Sequence, residues 1–253
     1  MIQTILLVVA LVTSFNSIAG DVVRLAIGEW PPYHSVDLEY FGIGSRIMKE
    51  AFANEDIEVE YGFFPWARSL ALVKSGKWDG SGVWYYSPKR ARYALYSDPV
   101  LQSSYVFFHL HSYPFDWKTI DDLKGVIIGG VNGYSYGDVF DTAMDEGKLI
   151  VQLVPTDQQN IEKLLAKRVN ISAFEINNAY YFLNRYFALQ KNKLTYHPKI
   201  LTTQALHLII SKRLKNSRRL IKSFNKGLQA LKQSGKVDQY INEFRTKQIK
   251  LIR

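Results

Sequence analysis

Between residues 22 and 200 the apolar positions change period repeatedly. Short apolar runs at 22–28, 57–63 and 80–85 read as strands, and the stretches 45–53 and 67–75 between them have helical spacing. The second half repeats the style, with strands at 126–130, 149–154 and 170–175 and helical stretches at 137–146 and 158–167. Such βαβ alternation predicts a mainly parallel sheet covered by helices in each half, an α/β fold. Two β-rich stretches interrupt it, 103–111 (SSYVFFHLH) and 204–211 (QALHLIIS), each long enough to cross between two lobes. Two crossings would place 20–104 and 205–253 in one lobe and 105–204 in the other. Ligands of open α/β sheets sit outside the carboxyl ends of the strands. With two such sheets facing one another, those ends would line a shared cleft.

The ends of the chain carry different signals. Residues 5–12 (ILLVVALV) form an apolar run too short to span a bilayer, and polar residues follow before Ser17-Ile18-Ala19. This predicts a secretory signal peptide over 1–19, although its first segment lacks Lys and Arg. The net charge of +9 is unevenly placed: residues 21–106 carry −2, 107–203 are neutral, and 204–253 carry +11. In that basic tail, Leu214, Ile221, Phe224, Leu228, Leu231, Tyr240, Ile241 and Phe244 are spaced to form the apolar stripes of two helices. The cations then read as their solvated faces rather than as a nucleic-acid site. The chain has no cysteine, which excludes disulfides, thiolate metal sites and a cysteine nucleophile.

Candidate binding residues gather at the predicted strand exits. In the loop Gly28-Glu29-Trp30-Pro31-Pro32-Tyr33, paired prolines end the strand and hold Trp30 and Tyr33. After the second strand comes Phe64-Pro65-Trp66-Ala67-Arg68, with Pro65 where a helix begins. Aromatic faces at such a rim suit a flat or aliphatic guest, or a cation. Tyr85 ends the third strand. Beyond it, Arg90 or Arg92, which periodicity does not separate, offers a guanidinium fork to a carboxylate. In the second lobe, Gly133-Tyr134-Ser135 lies between strand and helix, where N–H groups and a hydroxyl suit an anion. Glu175 ends the last strand; it reads either as a receptor for an ammonium group or as a helix N-terminal acid. There is no GxGxxG and no GxxxxGK[ST], and His34, His109, His111, His197 and His207 are scattered. No cofactor and no metal site is expected.

Several of these pieces, in order, resemble the family 3 extracellular solute-binding proteins. They are the PPY loop, Gly76-Lys77-Trp78-Asp79-Gly80, the S-x-K-R stretch to Arg90, Tyr96-Ser97-Asp98-Pro99, Asp121-Asp122-Leu123-Lys124-Gly125, the Gly133-Tyr134-Ser135 turn, and the terminal pattern Asn225–Leu231 with Ser234-Gly235. The resemblance implies the type II periplasmic binding fold, closing by a hinge. It implies that Arg90 clamps a ligand carboxylate with help from Ser135, that Glu175 takes an ammonium, and that Trp30 and Trp66 sandwich the side chain. It further implies a periplasmic monomer that delivers an amino acid or related carboxylate to an ABC permease or a membrane sensor, without catalysis. There are departures: Gly82-Val83-Trp84-Tyr85 stands where amino-acid binders tend to offer serines, Glu175 replaces an Asp, Asn170 replaces an Asp, and Arg68 adds a cation at the cleft mouth. The rival expectation on the same scaffold is a periplasmic lyase resembling the cyclohexadienyl dehydratases, with Glu175 or Glu29 as general acid.

Overall fold

In the computed structural model, residues 21–250 are described. The expected signal peptide lies outside them. In chain order the first half contains β1 (Asp21–Ile27), α1 (Ile43–Ala53), β2 (Ile57–Phe63), α2 (Trp66–Ser75), β3 (Gly80–Trp84) and the short α3 (Pro88–Ala91). The long β4 (Ala94–Leu110) follows, then β5 (Ile127–Val131), α4 (Asp138–Asp145), β6 (Ile150–Val154), α5 (Asp157–Leu165), β7 (Ile171–Glu175), α6 (Ile176–Tyr186) and β8 (Leu194–Tyr196). The chain returns through β9 (Thr202–Ser211) and ends in α7 (Ser217–Gln233) and α8 (Lys236–Lys250). No helix among the described residues is long and apolar enough to cross a membrane.

The strands join in the order β2-β1-β3-β9-β4-β7-β5-β6, with β8 beside β4. Within each half the β1–β2, β1–β3, β5–β6 and β5–β7 pairs are parallel, as the βαβ pattern predicts. The two β-rich stretches become β4 and β9, which pair antiparallel with each other from Ala94↔Ser211 to Tyr105↔Thr202. Past Tyr105, β4 pairs with β7 instead. One strand therefore serves both halves, and at about 3.3 Å per residue its 17 residues span roughly 55 Å.

β4 begins nine residues before the predicted stretch. Pro99 speaks against a strand in its first part, since proline has no N–H for a ladder. The strand accommodates it at an irregularity: the register with β9 shifts on both sides of Pro99. The N–H of Asp98 finds its acceptor in the Asn225 side chain, 2.9 Å away.

The packing explains the patterns. Strand periodicity puts Tyr105 and Phe107 on one face of β4, in a core with Trp117, Ile128, Tyr136 and Phe140. Val106, Phe108 and Leu110 face the opposite core, with Ile161, Leu164, Phe174 and Leu183. Both faces are covered, so this part of the sequence shows a continuous apolar run rather than alternation. In the other half β1, α1, β9 and α7 share one core, in which Leu220, Phe224, Leu228 and Leu231 are the stripe of α7. The basic tail is thereby largely a solvated helix face: Arg218, Lys222, Lys226 and Lys236 are exposed. The sequence reading leaves α6 unassigned, since its aromatic run 180–187 also puts Tyr180 and Tyr186 on the exposed side.

Helix α7 approaches α1 so closely that a Cβ on Gly227 would lie 1.8 Å from the Ala51 carbonyl oxygen. Gly227→Ala should therefore destabilise the protein by about 1–3 kcal/mol, despite alanine's better helix propensity. Urea unfolding of the variant and the parent checks this.

Candidate functional site

The exits of β1, β3, β5, β6 and β7 meet where the two halves face each other. On the first side, the Trp30 N–H bonds the His34 carbonyl at 2.8 Å and the Tyr33 N–H bonds the Trp30 carbonyl at 2.9 Å, so the two-proline loop is a tight turn. The Trp30 and Tyr33 rings are 4.7 Å apart, and Tyr85 meets Trp30 edge-on at 6.3 Å. Below them His34 is fully buried with Nδ1 2.7 Å from Ser45 Oγ, and burial pushes its pKa down to about 3.

Trp66 lies over Gly28, where any Cβ would come within 2.5 Å of the indole. Its Nε1 donates to the Glu29 carbonyl at 3.2 Å, and its ring meets Trp84 edge-on at 4.8 Å. Trp30 thus contacts Tyr33 and Tyr85, while Trp66 contacts Trp84. Val83, between them, sits at φ +53°, a strained conformation for a β-branched residue, where the β3–β9 register also shifts. This irregularity immediately precedes Trp84, the last residue of β3, and Tyr85.

The Arg90 guanidinium stacks on Trp84 at 4.4 Å, and its Nη1 donates to the Tyr85 carbonyl (2.5 Å) and the Tyr96 hydroxyl (3.2 Å). It is part-buried, held beside Tyr85, with one nitrogen already engaged. Arg92 makes none of these contacts. Arg68 is exposed and lies over the Phe64 ring at 5.2 Å, away from this group.

On the second side, the Ser135 hydroxyl donates to Asp141 Oδ2 at 2.6 Å, and the Tyr136 N–H donates to Asp141 Oδ1 at 2.9 Å. The turn before α4, expected to be open to an anion, already holds the carboxylate of its own helix. The Tyr134 hydroxyl donates to Asp157 Oδ2 at 2.9 Å. Asp157 is buried at the start of α5, and burial pushes its carboxyl up to about 6 against the lowering effect of that bond.

Glu175 joins the two sides. It caps α6, accepting from the Asn178 N–H at 2.8 Å, so the helix N-terminal reading of this acid describes its local role. Its other oxygen accepts from the Tyr33 hydroxyl at 2.9 Å and from Asn177 Nδ2 at 3.1 Å. Asn177 also donates to the Tyr33 oxygen at 3.0 Å, and Asn178 Nδ2 donates to the Pro31 carbonyl at 2.6 Å. The two halves are therefore latched together through side chains at their strand exits. Glu175 is 1 % exposed, and burial pushes its carboxyl up to about 7, its hydrogen bonds notwithstanding.

Asp157, Asn177, Asn178 and Ser103, whose Oγ lies 2.9 Å from the Tyr85 hydroxyl, were not singled out in the sequence. The rule that selected Trp30 and Glu175 reaches three of them: Asp157 follows β6 as Glu175 ends β7, and the two asparagines come next. Ser103 lies inside a strand and carries no such signal. Among the described residues no group of three or more His, Asp or Glu side chains is placed to hold a metal.

The sequence profile of the bacterial extracellular solute-binding proteins, family 3, matches residues 23–247. A comparison with curated protein sequences finds no match. Among solved structures, the GluR0 ligand-binding core from Nostoc punctiforme in complex with L-glutamate is similar at 17% identity and TM-score 0.70, covering 87% of this chain and 98% of that one. An amino acid ABC transporter substrate-binding protein from Streptococcus pneumoniae, bound to L-arginine, gives 20% and 0.67 over 88% and 93%. An ancestral amino acid-binding protein, described as a precursor of cyclohexadienyl dehydratase, gives 17% and 0.67 over 88% and 94%. These likenesses establish the type II periplasmic binding fold, with two α/β lobes.

The raised carboxyl of Glu175 has a thermodynamic consequence. Between its ordinary value of 4.5 and about 7 the folded protein holds a proton that the unfolded chain releases, so stability falls as pH rises through that window. Glu175→Gln, which imitates the protonated acid, should flatten the dependence of Tm on pH between 4.5 and 7. Differential scanning calorimetry across that range measures it.

Proposed function

Because the chain belongs to family 3 of the bacterial extracellular solute-binding proteins, we propose that it captures a small polar solute between its lobes in the periplasm and hands it to an ABC permease or a membrane sensor. The solute is an amino acid or a related carboxylate, and it leaves unchanged. The observation that carries this reading is the latch: Tyr33, Pro31, Glu175, Asn177 and Asn178 join the lobes at the strand exits, amid the aromatic side chains Trp30, Tyr85 and Tyr134. Closure that buries a guest in such a cleft favours the closed state by the contacts made only there. The solved relatives with L-glutamate and L-arginine support an amino-acid-like guest.

Arg90 is the reading's carboxylate clamp. Its stacking on Trp84 and its bond to the Tyr85 carbonyl orient the guanidinium plane, and Nη1 alone is engaged there, leaving the other edge of the fork for a guest. Glu175 receives the ammonium, replacing the bond it now accepts from Tyr33. Ser135 would have to exchange its bond to Asp141 to reach the same carboxylate. Arg68, on the outer face of Phe64, stands at the rim rather than against the guest.

One observation favours the lyase reading: a buried carboxyl with a pKa of about 7 suits a general acid at neutral pH. Incubation with prephenate or arogenate separates the two. A binding protein returns the substrate unchanged; a lyase consumes it.

A thermal-shift screen of amino acids, polyamines, small peptides and carboxylates should find a guest that raises Tm by several degrees. At a hundredfold excess over Kd such a guest adds about 2.7 kcal/mol. Isothermal titration should then show Arg90→Ala weakening that guest at least tenfold. Equal affinity would remove Arg90 from the clamp.

A further inference from the structure

Two buried carboxyls face the same aromatic cleft, and among the described residues no side chain forms an ion pair with either. Glu175 accepts from Tyr33, Asn177 and the Asn178 N–H, all uncharged donors. The side chain of Asp157 accepts from the Tyr134 hydroxyl. Among the described residues the ion pairs lie elsewhere, on Asp21, Glu55, Asp79, Asp116, Asp121, Glu146 and Glu243. Of the nearby cations, Arg90 stacks on Trp84 and bonds the Tyr85 carbonyl and the Tyr96 hydroxyl through Nη1, and Arg68 lies over the Phe64 ring; neither forms an ion pair with these acids. Tyr85 is near enough to both acids for each to disfavour ionisation of its phenol.

A second kind of observation points the same way. Asn178 is 1 % exposed, and the amide that donates to Pro31 across the cleft leaves its Oδ1 with no partner. It adjoins Glu175, so an unpaired acceptor stands next to an uncompensated acid. A cationic donor would satisfy both. The walls suit a cation as well, since the rings of Trp30, Tyr33, Tyr85 and Tyr134 present negative faces.

We propose that Tyr134 and Asp157 form a second cation subsite on the second lobe, and that the guest carries two cationic nitrogen groups, one held at Glu175 and one at Asp157. This deepens the binding reading above and rests on it. An amino acid with an uncharged side chain answers Arg90 and Glu175 but leaves Asp157 buried and unpaired. A basic amino acid answers all three, and a diamine answers the two acids. The shared chemistry is a pair of ammonium or guanidinium groups joined by an aliphatic chain that can lie against the aromatic wall. Without a guest both carboxyls are held partly protonated by burial, Asp157 near 6 and Glu175 near 7. A bound dication makes the ionised forms favourable, and protons leave as it enters. The titratable groups around Asp157 are otherwise the phenols of Tyr134, Tyr136, Tyr85 and Tyr105, which stay neutral in this range.

The test is isothermal titration of the whole protein with L-lysine, L-arginine, 1,4-diaminobutane and 1,5-diaminopentane, against L-norleucine and L-glutamine. At least one dicationic probe should bind ten times or more tighter than L-norleucine. Its binding at pH 6 should release protons, read from the difference in heat between two buffers of unlike ionisation enthalpy. In Asp157→Asn the preference over L-norleucine should collapse through loss of affinity for the dicationic probe. The wild-type comparison stands even if that variant fails to fold. The strongest responder being a basic amino acid or a diamine decides whether Arg90 is used. Neutral amino acids binding as well as dications, or a dication indifferent to Asp157→Asn, would overturn the subsite and leave the capture reading intact. No binding by any of the six probes would likewise overturn the subsite, while the wider thermal-shift screen decides the capture reading separately.

Discussion

The ladder between β4 and β9 holds the molecule together across its middle. These two strands carry the chain between lobes, and they are hydrogen-bonded to each other through most of the passage. Each lobe has its own apolar cores, so what a lobe keeps when the other moves is set by its own packing. The connection between the lobes is this two-stranded ribbon. The shifts of register beside Pro99 place an irregularity within that ribbon. A stiff pair of lobes on a thin connection is the geometry a closing cleft requires.

The latch across the cleft is electrostatically unusual because its centre is a carboxyl group with neutral partners. A phenol, a primary amide and a helix N–H hold Glu175, and all three are uncharged. Each hydrogen bond favours the carboxylate, yet burial outweighs them and keeps the proton near neutrality. Asp157 repeats the situation on a neighbouring strand exit, with Tyr134 in the part of Tyr33. The two acids stand at exits of different strands, each bonded by a phenol, and the Arg90 guanidinium is stacked on Trp84.

The pattern of apolar positions was enough to read the six parallel-type strands, the helices between them and the pair of C-terminal helices. Each of these buries a face whose period shows in the residues themselves. It was also enough to place Trp30, Tyr33, Tyr85, Tyr134 and Glu175 at strand exits, since that depends only on where strands end. Helix α6 escaped, because aromatic residues on several of its sides mask the period. The first nine residues of β4 escaped too, because a proline speaks against a strand unless the tertiary structure supplies a bulge.

What each exit residue does was decided by partners far away in the chain. Local sequence left Glu175 as either an ammonium receptor or a helix cap; the hydroxyl of Tyr33, 142 positions earlier, and the turn that follows it make it a cap that also reaches across the cleft. Ser135 reads as free in the sequence, but its hydroxyl donates to Asp141, and Arg68, expected at the cleft mouth, lies exposed over the Phe64 ring. Side-chain chemistry and strand position are local properties, so one chain of letters determines them. Hydrogen-bond partners and the balance of burial against charge are set by distances between segments, which only the folded arrangement supplies.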